Sequence, residues 1–383
     1  MKPIRSIAGA ALLSALLASA AAFPTFAQAQ DIRTELVPLR ADVVADGLDH
    51  PWGLDFLPDG AAIVTERPGQ MRILSDGRLS EPVAGLPKVA ARGQGGLLDV
   101  AVSPKFAEDG LIFFSFSEPG TGGAGTSVAK ARLVRDGGSA RLEDVAVIFS
   151  MEKRTNMGQH FGSRLVFAPD GTLFFTTGDR GDGKRSQDFQ DSAGAVLRIN
   201  TDGSIPSDNP FADGGAGLPQ LWSKGHRNVQ GAIIDPLSGE LITVEHGAKG
   251  GDELNQPQAG KNYGWPVISY GVNYNGRKIG VGTEAEGYEQ PIHYWDPSIA
   301  PSGLAVYDGV MFPEWKGDIL VGSLKFGLVS RLDRDESGKI VGEERLLEDA
   351  FGRIRDVNVA PDGSIWLLTD DSDGAMIRLT RAD

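Results

Sequence analysis

The feature that most constrains the fold of this chain is an internal repeat, in which a reverse turn joins two short apolar strands. Three copies carry the turn sequence Pro-Asp-Gly, at residues 58–60, 169–171 and 361–363. Proline presets the backbone for such a turn and glycine accepts a positive φ, so the chain reverses within a few residues. A third apolar strand follows each pair after a loop. The pattern predicts repeated antiparallel β-sheets.

Three more divergent copies bring the number of repeats to six. One turn glycine marks each copy: Gly60, Gly110, Gly171, Gly239, Gly317 and Gly363. Their spacings, from 46 to 78 residues, suit blades of about 40 to 50 residues with added loops. We therefore predict an all-β fold, a six-bladed β-propeller of four-stranded antiparallel blades. A β-sandwich with repeated turns is the alternative, but repeats this long and regular suit radial stacking better.

The segment ahead of the first repeat is predicted to close the ring. Residues 35–45 would supply the outer strand of the last blade, which removes exposed sheet edges. Because the chain has no cysteine, its core has to stabilise the fold without disulfide bonds. The excess length falls in the loops 179–195, 201–225 and 247–302, which we expect on one face of the propeller, and function is to be sought there.

The first 29 residues have the features of a secretory signal peptide. A basic start is followed by an apolar run over residues 7–23, and the small residues Ala27 and Ala29 form a cleavage pattern. An uncleaved signal anchor is the alternative. No second long apolar stretch follows, so we expect no membrane span. The expected product is one propeller domain over residues 30–383, periplasmic or secreted, and either a monomer or a dimer.

The charge and the missing motifs exclude several classes of function. The formal net charge of −14 would repel nucleic acid. The sequence has no phosphate-binding glycine loop, no strand-linked dinucleotide fingerprint and no Gly-x-Ser-x-Gly nucleophile elbow. Four of the five histidines, His160, His226, His246 and His293, lie in the middle of the chain without a recognisable zinc-ligand spacing.

A set of polar residues flanks the repeat strands at equivalent places in different blades. Its members are Gln94, His160, Arg227, Asn228, Lys325, Arg353 and Arg355. Residues at the start of the innermost propeller strand approach the central axis, so we expect these side chains to converge at one end of the channel. The set holds four cations in an otherwise acidic chain. It predicts a pocket for a polyanion.

All of these residues except Lys325 lie in segments that resemble the soluble aldose sugar dehydrogenases that depend on pyrroloquinoline quinone (PQQ). The resemblance covers nearly the whole chain after the signal. It is carried by residues 50–54, 93–100, 160–165, 225–228, 245–253, 261–266 and 353–357. The most specific stretches are Gly-Gln-Gly-Gly at 93–96 and Lys-Asn-Tyr-Gly-Trp-Pro at 261–266.

The resemblance implies a sugar oxidation in which His160 is the general base. Asp179 would orient that imidazole, and Arg227 with Asn228 would stabilise charge on the quinone oxygen. Tyr274 resembles a residue that packs on the cofactor ring. The remaining cofactor contacts implied are those to the PQQ carboxylates, from Gln94, Lys325, Arg353 and Arg355. The substrate would be a small aldose, and an unidentified electron acceptor would reoxidise the cofactor.

The same resemblance implies calcium at two positions, both with oxygen ligands. The carbonyls of Gly247 and Ala248 resemble the pair that holds the calcium bridging PQQ, although position 248 is proline in the family members compared. Glu253 and the Tyr263 carbonyl resemble a structural site. Two other functions stay open from the residues alone: a calcium-dependent propeller lactonase, and a propeller without catalysis that binds another anion.

Overall fold

A computed structural model describes residues 30–382 and has six antiparallel sheets arranged in a ring. The predicted fold, a six-bladed β-propeller, is therefore confirmed. The expected signal peptide at residues 1–29 lies outside the described residues. Within residues 30–382, no helix is long and apolar enough to cross a membrane.

Each blade has four strands in chain order from the axis outward, except where the ring closes. Blade 1 is Pro51–Phe56, Ala62–Glu66, Gln70–Ser75 and Arg78–Leu79. Blade 2 is Leu97–Val102, Leu111–Gly120, Gly123–Asp136 and Ser139–Ser150. Blade 3 is Leu165–Phe167, Leu173–Thr177, Ala195–Ile199 and Leu221–Lys224. Blade 4 is Val229–Ile234, Leu241–Glu245, Asp252–Asn255 and His293–Trp295. Blade 5 is Pro301–Val306, Ile319–Ser323, Leu328–Arg334 and Ile340–Leu346.

Blade 6 is built from both ends of the described chain. Ile354–Val359, Ile365–Thr369 and Gly374–Arg381 are followed outward by the N-terminal strand Leu39–Leu48, and then by a short fifth strand, Gln30–Ile32. The prediction that an N-terminal segment closes the ring is confirmed, with the strand at 39–48 rather than 35–45. The described residues also contain three short helices, Phe106–Asp109, Gly183–Gln187 and Pro313–Trp315.

The burial of the strands follows from the packing of blade against blade. The second strands, such as Ala62–Glu66 and Leu241–Glu245, are buried along their whole length because neighbouring blades cover both of their faces. The outer strand Ile340–Leu346 instead alternates between half-buried and exposed residues. Apolar cores therefore lie between blades, for example where Phe113 of blade 2 meets Phe167 of blade 3 with ring centroids 5.1 Å apart.

The turn that defined the repeat adopts the expected conformation. Gly60, Gly171 and Gly363 have φ of +85°, +84° and +82°, a region that favours glycine. These turns lie at the end of the innermost strand, so they mark one face of the propeller, the turn face. The chain enters the innermost strands from the opposite face. This face carries the predicted site residues and is called the site face.

Two aspartates on innermost strands tie neighbouring blades together near the axis. Asp99 accepts a hydrogen bond from the Leu165 amide at 2.7 Å, and Asp356 accepts one from the Leu54 amide at 3.0 Å. Where blade 1 comes closest to Asp99 of blade 2, the residue is a glycine, Gly53. A Cβ at Gly53 would lie 2.6 Å from Asp99 Oδ1, and any side chain there would force the blades apart.

One loop expectation was wrong. The part of 201–225 that precedes Leu221–Lys224 joins the third and fourth strands of blade 3 and lies on the turn face. Its Asp208 contacts Arg198 at 3.0 Å, and Arg198 also bonds Asp170 of the Pro-Asp-Gly turn. The connections 178–194 and 246–251 follow second strands and lie on the site face, as expected.

Candidate active site

A cavity of about 790 Å³ opens on the site face around the propeller axis. Six of the seven predicted cofactor residues line it: Gln94, Asn228, Tyr274, Lys325, Arg353 and Arg355. His160 and Arg227 adjoin the same wall through their sequence neighbours Phe161 and Asn228, which line the cavity. The set expected at one end of the channel is thus brought together. Tyr274 is 74 % exposed and lies at the mouth.

The histidine next to the cavity is held by a buried carboxylate. Asp179, which follows the second strand of blade 3, lies 2.6 Å through Oδ1 from His160 Nδ1. Burial favours a raised pKa for Asp179, but the hydrogen bond and charge of His160 outweigh it, together with donors from Gly181 and Trp265, so the pKa is lowered. With the ionised carboxylate at Nδ1, the Nδ1 atom carries the proton and Nε2 is the acceptor.

The backbone around His160 is fixed by two further residues. The His160 amide donates to Gln94 Oε1 at 2.7 Å. Arg180, fully buried, donates to the Met157 carbonyl at 2.6 Å and to that of Gln159, the residue before His160. Its guanidinium also lies 3.4 Å from the centroid of the Phe161 ring. Sequence reasoning missed Arg180.

Two of the other central histidines, His226 and His246, are engaged in other contacts. His226 is fully buried between Glu245, at 2.7 Å from Nδ1, and the Ser223 hydroxyl, at 2.9 Å from Nε2. His246 lines the cavity, but its Nε2 bonds the Pro301 carbonyl at 2.6 Å. Burial and the neighbouring charge of Arg227 lower the pKa of His246 to about 3, so it stays neutral. Of these three, His160 is the one suited to accept a proton.

The cationic end of the cavity contains one anion that the sequence did not reveal. Asp370 Oδ2 lies 2.9 Å from both Arg353 Nη2 and Arg355 Nη2. Burial favours a raised pKa for Asp370, yet the charges and hydrogen bonds of the two arginines lower it well below its usual range. Lys325 lines the same region. Across the cavity lining, five cations, Arg67, Lys249, Lys325, Arg353 and Arg355, outnumber two carboxylates, Asp296 and Asp370, so the lining keeps a net positive charge.

Arg164, a second residue that sequence reasoning missed, adjoins the cavity lining without being part of it. Its guanidinium lies 2.8 Å from Asp99 and 2.9 Å from Asp356, so it joins blades 2, 3 and 6 across the axis. It also stacks on Trp52, with 4.7 Å to the ring centroid. The equivalent positions of Asp99 and Asp356 in their repeats were the available signal, because both precede a valine in an innermost strand.

Arg227 and Asn228 link the cavity wall to blade 4. The Arg227 amide donates to Glu245 at 2.6 Å, and its guanidinium contacts the Gly247 carbonyl and lies 5.2 Å from the Trp265 ring centroid. The Asn228 side chain accepts from the Gly162 amide at 3.1 Å. The two residues are thus immobilised on opposite sides of the strand start.

The two positions suggested for calcium differ in their surroundings. Ala248 lines the cavity next to Gly247, whose amide donates to Asp252 at 2.8 Å. Glu253 is half-buried in blade 4, beside the buried Glu245, and both accept from the Asn255 amide group, at 3.2 and 3.1 Å. Burial and the charge of Glu245 raise the pKa of Glu253 to about 8. Among the described residues, no group of three or more His, Cys, Asp or Glu is arranged around a common metal position.

The loop that carries Tyr263 was recognised by its sequence motif, but its contacts with blade 3 were not predicted. The Tyr263 amide donates to the Lys224 carbonyl at 2.8 Å, and its ring stacks on His226 with centroids 4.9 Å apart. Lys224 is itself buried and donates to three carbonyls of the 178–194 connection, those of Arg185, Asp191 and Ala193. The loop of blade 4 that carries Tyr263 is therefore packed, through Lys224, against the connection of blade 3 that contains Asp179.

Comparison with known proteins gives a consistent result. Residues 48–378 match the family described as glucose/sorbosone dehydrogenase. Aldose sugar dehydrogenase YliI of Escherichia coli (strain K12) is 41% identical over 349 residues, which cover 89% of this chain and 93% of that protein. A crystal structure of glucose dehydrogenase is 43% identical with a TM-score of 0.86, covering 90% and 99% of the two chains. The PQQ-bound form of an aldose sugar dehydrogenase from Streptomyces coelicolor is 28% identical with a TM-score of 0.74, covering 89% and 98%.

Proposed function

The chain belongs to the glucose/sorbosone dehydrogenase family, and from this premise we propose that it is a PQQ-dependent aldose sugar dehydrogenase that forms lactones, with His160 as the base. The observation that carries the proposal is the buried pair of His160 and Asp179, 2.6 Å apart beside the axial cavity. The cationic residues Lys325, Arg353 and Arg355 line the same cavity. A similar protein has been solved with PQQ bound.

The residues around the cavity fit PQQ by the chemistry of their donors. The cofactor is a flat aromatic carboxylate anion, and Lys325, Arg353 and Arg355 belong to a lining whose cations outnumber its two carboxylates, Asp296 and Asp370. Arg355 Nε is buried without a hydrogen-bond partner in the described part of the chain, so a donor is left for a ligand. Gln94 and Asn228 would add amide contacts, and Tyr274 at the mouth would cover the ring.

The proposed reaction needs one proton and one hydride to leave the sugar. His160 Nε2 would take the proton of the anomeric hydroxyl, and the anionic Asp179 would stabilise the resulting imidazolium. PQQ, when bound, supplies the carbonyl carbon that accepts the hydride from the anomeric carbon. Arg227 would stabilise negative charge that develops beside it. The sugar is left as a lactone, and an external acceptor must remove the two electrons.

Calcium fits both suggested positions by its preference for oxygen ligands. At the inner position, Glu245 is buried and Glu253 half-buried, and neither forms an ion pair with Lys or Arg within residues 30–382. Asn255 Oδ1 is buried without a partner in the same part of the chain. The Tyr263 carbonyl would complete this set. At the cavity, the Gly247 and Ala248 carbonyls would hold the second ion. Calcium would offset the burial cost of both acids.

The proposal includes export and a partner. We infer that residues 1–29 are removed during secretion and that the enzyme works in the periplasm or outside the cell. The electrons of the oxidised sugar would pass to an acceptor that the residues do not identify. Either a monomer or a dimer is compatible with the proposed chemistry.

The test is a reconstitution of residues 30–383 with a panel of aldoses and an artificial electron-accepting dye. We expect dye reduction only when both PQQ and calcium are present. Hydrolysis of sugar lactones in the absence of PQQ would instead support the propeller lactonase. If the purified protein does not take up PQQ, followed by its absorption, the dehydrogenase proposal is wrong and a binding propeller is favoured.

A further inference from the structure

We propose that Trp265 is a positioning residue of the reaction, whose indole N–H holds the Asp179 carboxylate in the orientation that presents His160 to the sugar. This inference rests on the proposed role of His160 as the base. Trp265 belongs to the 256–292 connection of blade 4, whereas Asp179 and His160 belong to blade 3. The catalytic pair is therefore completed by another blade.

The hydrogen bonds of Asp179 divide unequally between its two oxygens. Oδ1 accepts from His160 Nδ1 at 2.6 Å and from the Gly181 amide at 2.7 Å. Oδ2 accepts from Trp265 Nε1 at 2.9 Å, the one donor that it has among residues 30–382. A carboxylate anchored through one oxygen can rotate about its Cβ–Cγ bond. The indole removes that freedom by fixing the second oxygen.

Trp265 is itself firmly held, as a positioning residue has to be. Its amide donates to the Gly225 carbonyl at 2.9 Å, and its carbonyl accepts from Gln187 Nε2 at 2.7 Å. Gln187 also exchanges two hydrogen bonds with Asn262, at 3.1 and 2.9 Å. A Cβ at Gly183 would lie 3.0 Å from the indole nitrogen, so glycine at that position leaves space for the ring.

The indole also acts on the charge of the pair. Asp179 lies next to His160 and near the guanidinium of Arg180. The guanidinium of Arg227 lies over the ring of Trp265, the residue that donates to Asp179. The indole donor is one of the contacts that lower the pKa of Asp179. Removing it would let Asp179 take up a proton at higher pH, and a protonated Asp179 no longer stabilises the imidazolium. The acid limb of the kcat profile should then move to higher pH.

The closest variant that tests this inference is Trp265→Phe, which keeps an aromatic ring beside Arg227 and removes the N–H. We expect kcat to fall by about 10- to 100-fold, as for loss of a hydrogen bond to a charged group. KM and PQQ affinity should stay within about threefold of the wild-type values. Trp222→Phe is the matched control. Trp222 Nε1 donates to the Pro257 carbonyl at 3.0 Å, and neither residue lines the cavity. The control variant should leave kcat unchanged.

A double-mutant cycle separates positioning from general packing. In an Asp179→Asn background the carboxylate is already absent, so adding Trp265→Phe should lower kcat by less than about threefold. An equal loss in both backgrounds would overturn the inference, as would kinetics of Trp265→Phe that match those of Trp222→Phe.

A measurement without cofactor keeps the test independent of activity and of the folding of the tryptophan variant. In the cofactor-free protein, the NMR resonance of the Trp265 indole proton should move upfield in Asp179→Asn, while that of Trp222 stays in place. An unmoved Trp265 resonance would contradict the proposed contact. If the wild-type protein oxidises no aldose with PQQ, the proposed function fails, but this resonance still reports on the indole and the carboxylate.

Discussion

The imidazole of His160 and the carboxylate of Asp179 lie 2.6 Å apart, at the two ends of a segment that contains the first two strands of blade 3. His160 has a φ of +56°, in the left-handed region. Its amide donates to Gln94, which lies in the loop that precedes blade 2. The pair is therefore built from a strand entry and a strand exit that meet on the site face.

His160→Ala should abolish most of the turnover without loss of the cofactor. General base catalysis contributes about 10²- to 10⁴-fold, so kcat should fall by that range. PQQ affinity, measured by absorbance titration, should change by less than about threefold because the carboxylate contacts lie on other residues. A kcat within tenfold of the wild-type value would contradict the role of His160.

Lys325→Met should weaken PQQ binding by about 10- to 100-fold, the range for loss of one charge-assisted hydrogen bond. Titration at two salt concentrations should also show a smaller salt dependence than in the wild-type protein. Lys339→Met is the control, because Lys339 is exposed in the connection between the last two strands of blade 5 and does not line the cavity. Equal PQQ affinity of the two variants would exclude Lys325 from the cofactor site.

Glu253→Gln should remove one stabilising effect of calcium. In the wild-type protein, adding calcium after chelation should raise the Tm, since bound calcium stabilises the native state. In the variant the rise should be smaller, because the inner position has lost a charged ligand. Differential scanning calorimetry with and without chelator measures both. An identical rise in the two proteins would show that Glu253 does not bind calcium.

Asp55→Asn should change how stability depends on pH. Asp55 lies near the turn face, and its pKa is raised to about 6, first by burial, against two backbone donors, with the charge of Asp356 adding to the rise. Because the native pKa exceeds the unfolded value, the proton stabilises the native state below about pH 4, and this contribution is lost as the pH rises through about 6. Urea denaturation at pH 4 and pH 7 should show the variant gaining stability relative to wild type at pH 7. A difference that is constant with pH would contradict this.

The fold was predictable because its determinants are local and recur. Each Pro-Asp-Gly turn sets the direction of two strands through the dihedral angles of a few residues, and the six copies repeat this with enough regularity to count the blades. The same regularity brought Gln94, His160, Asn228, Arg353 and Arg355 to one end of the channel, because equivalent positions in a ring converge on the axis. Residues in the longer connections have no such period, which is why segment 201–225 was expected on the wrong face.

The sequence by itself determined the number of blades, the closing strand and the cluster of polar residues at the axis. Only the tertiary structure decided which of them touch. Asp370 between Arg353 and Arg355, Arg164 between Asp99 and Asp356, and Trp265 on Asp179, 86 residues away, are contacts between different blades or between separate loops of one blade. Such contacts depend on the closed ring that sets the distances between blades, and no local pattern in the chain encodes them.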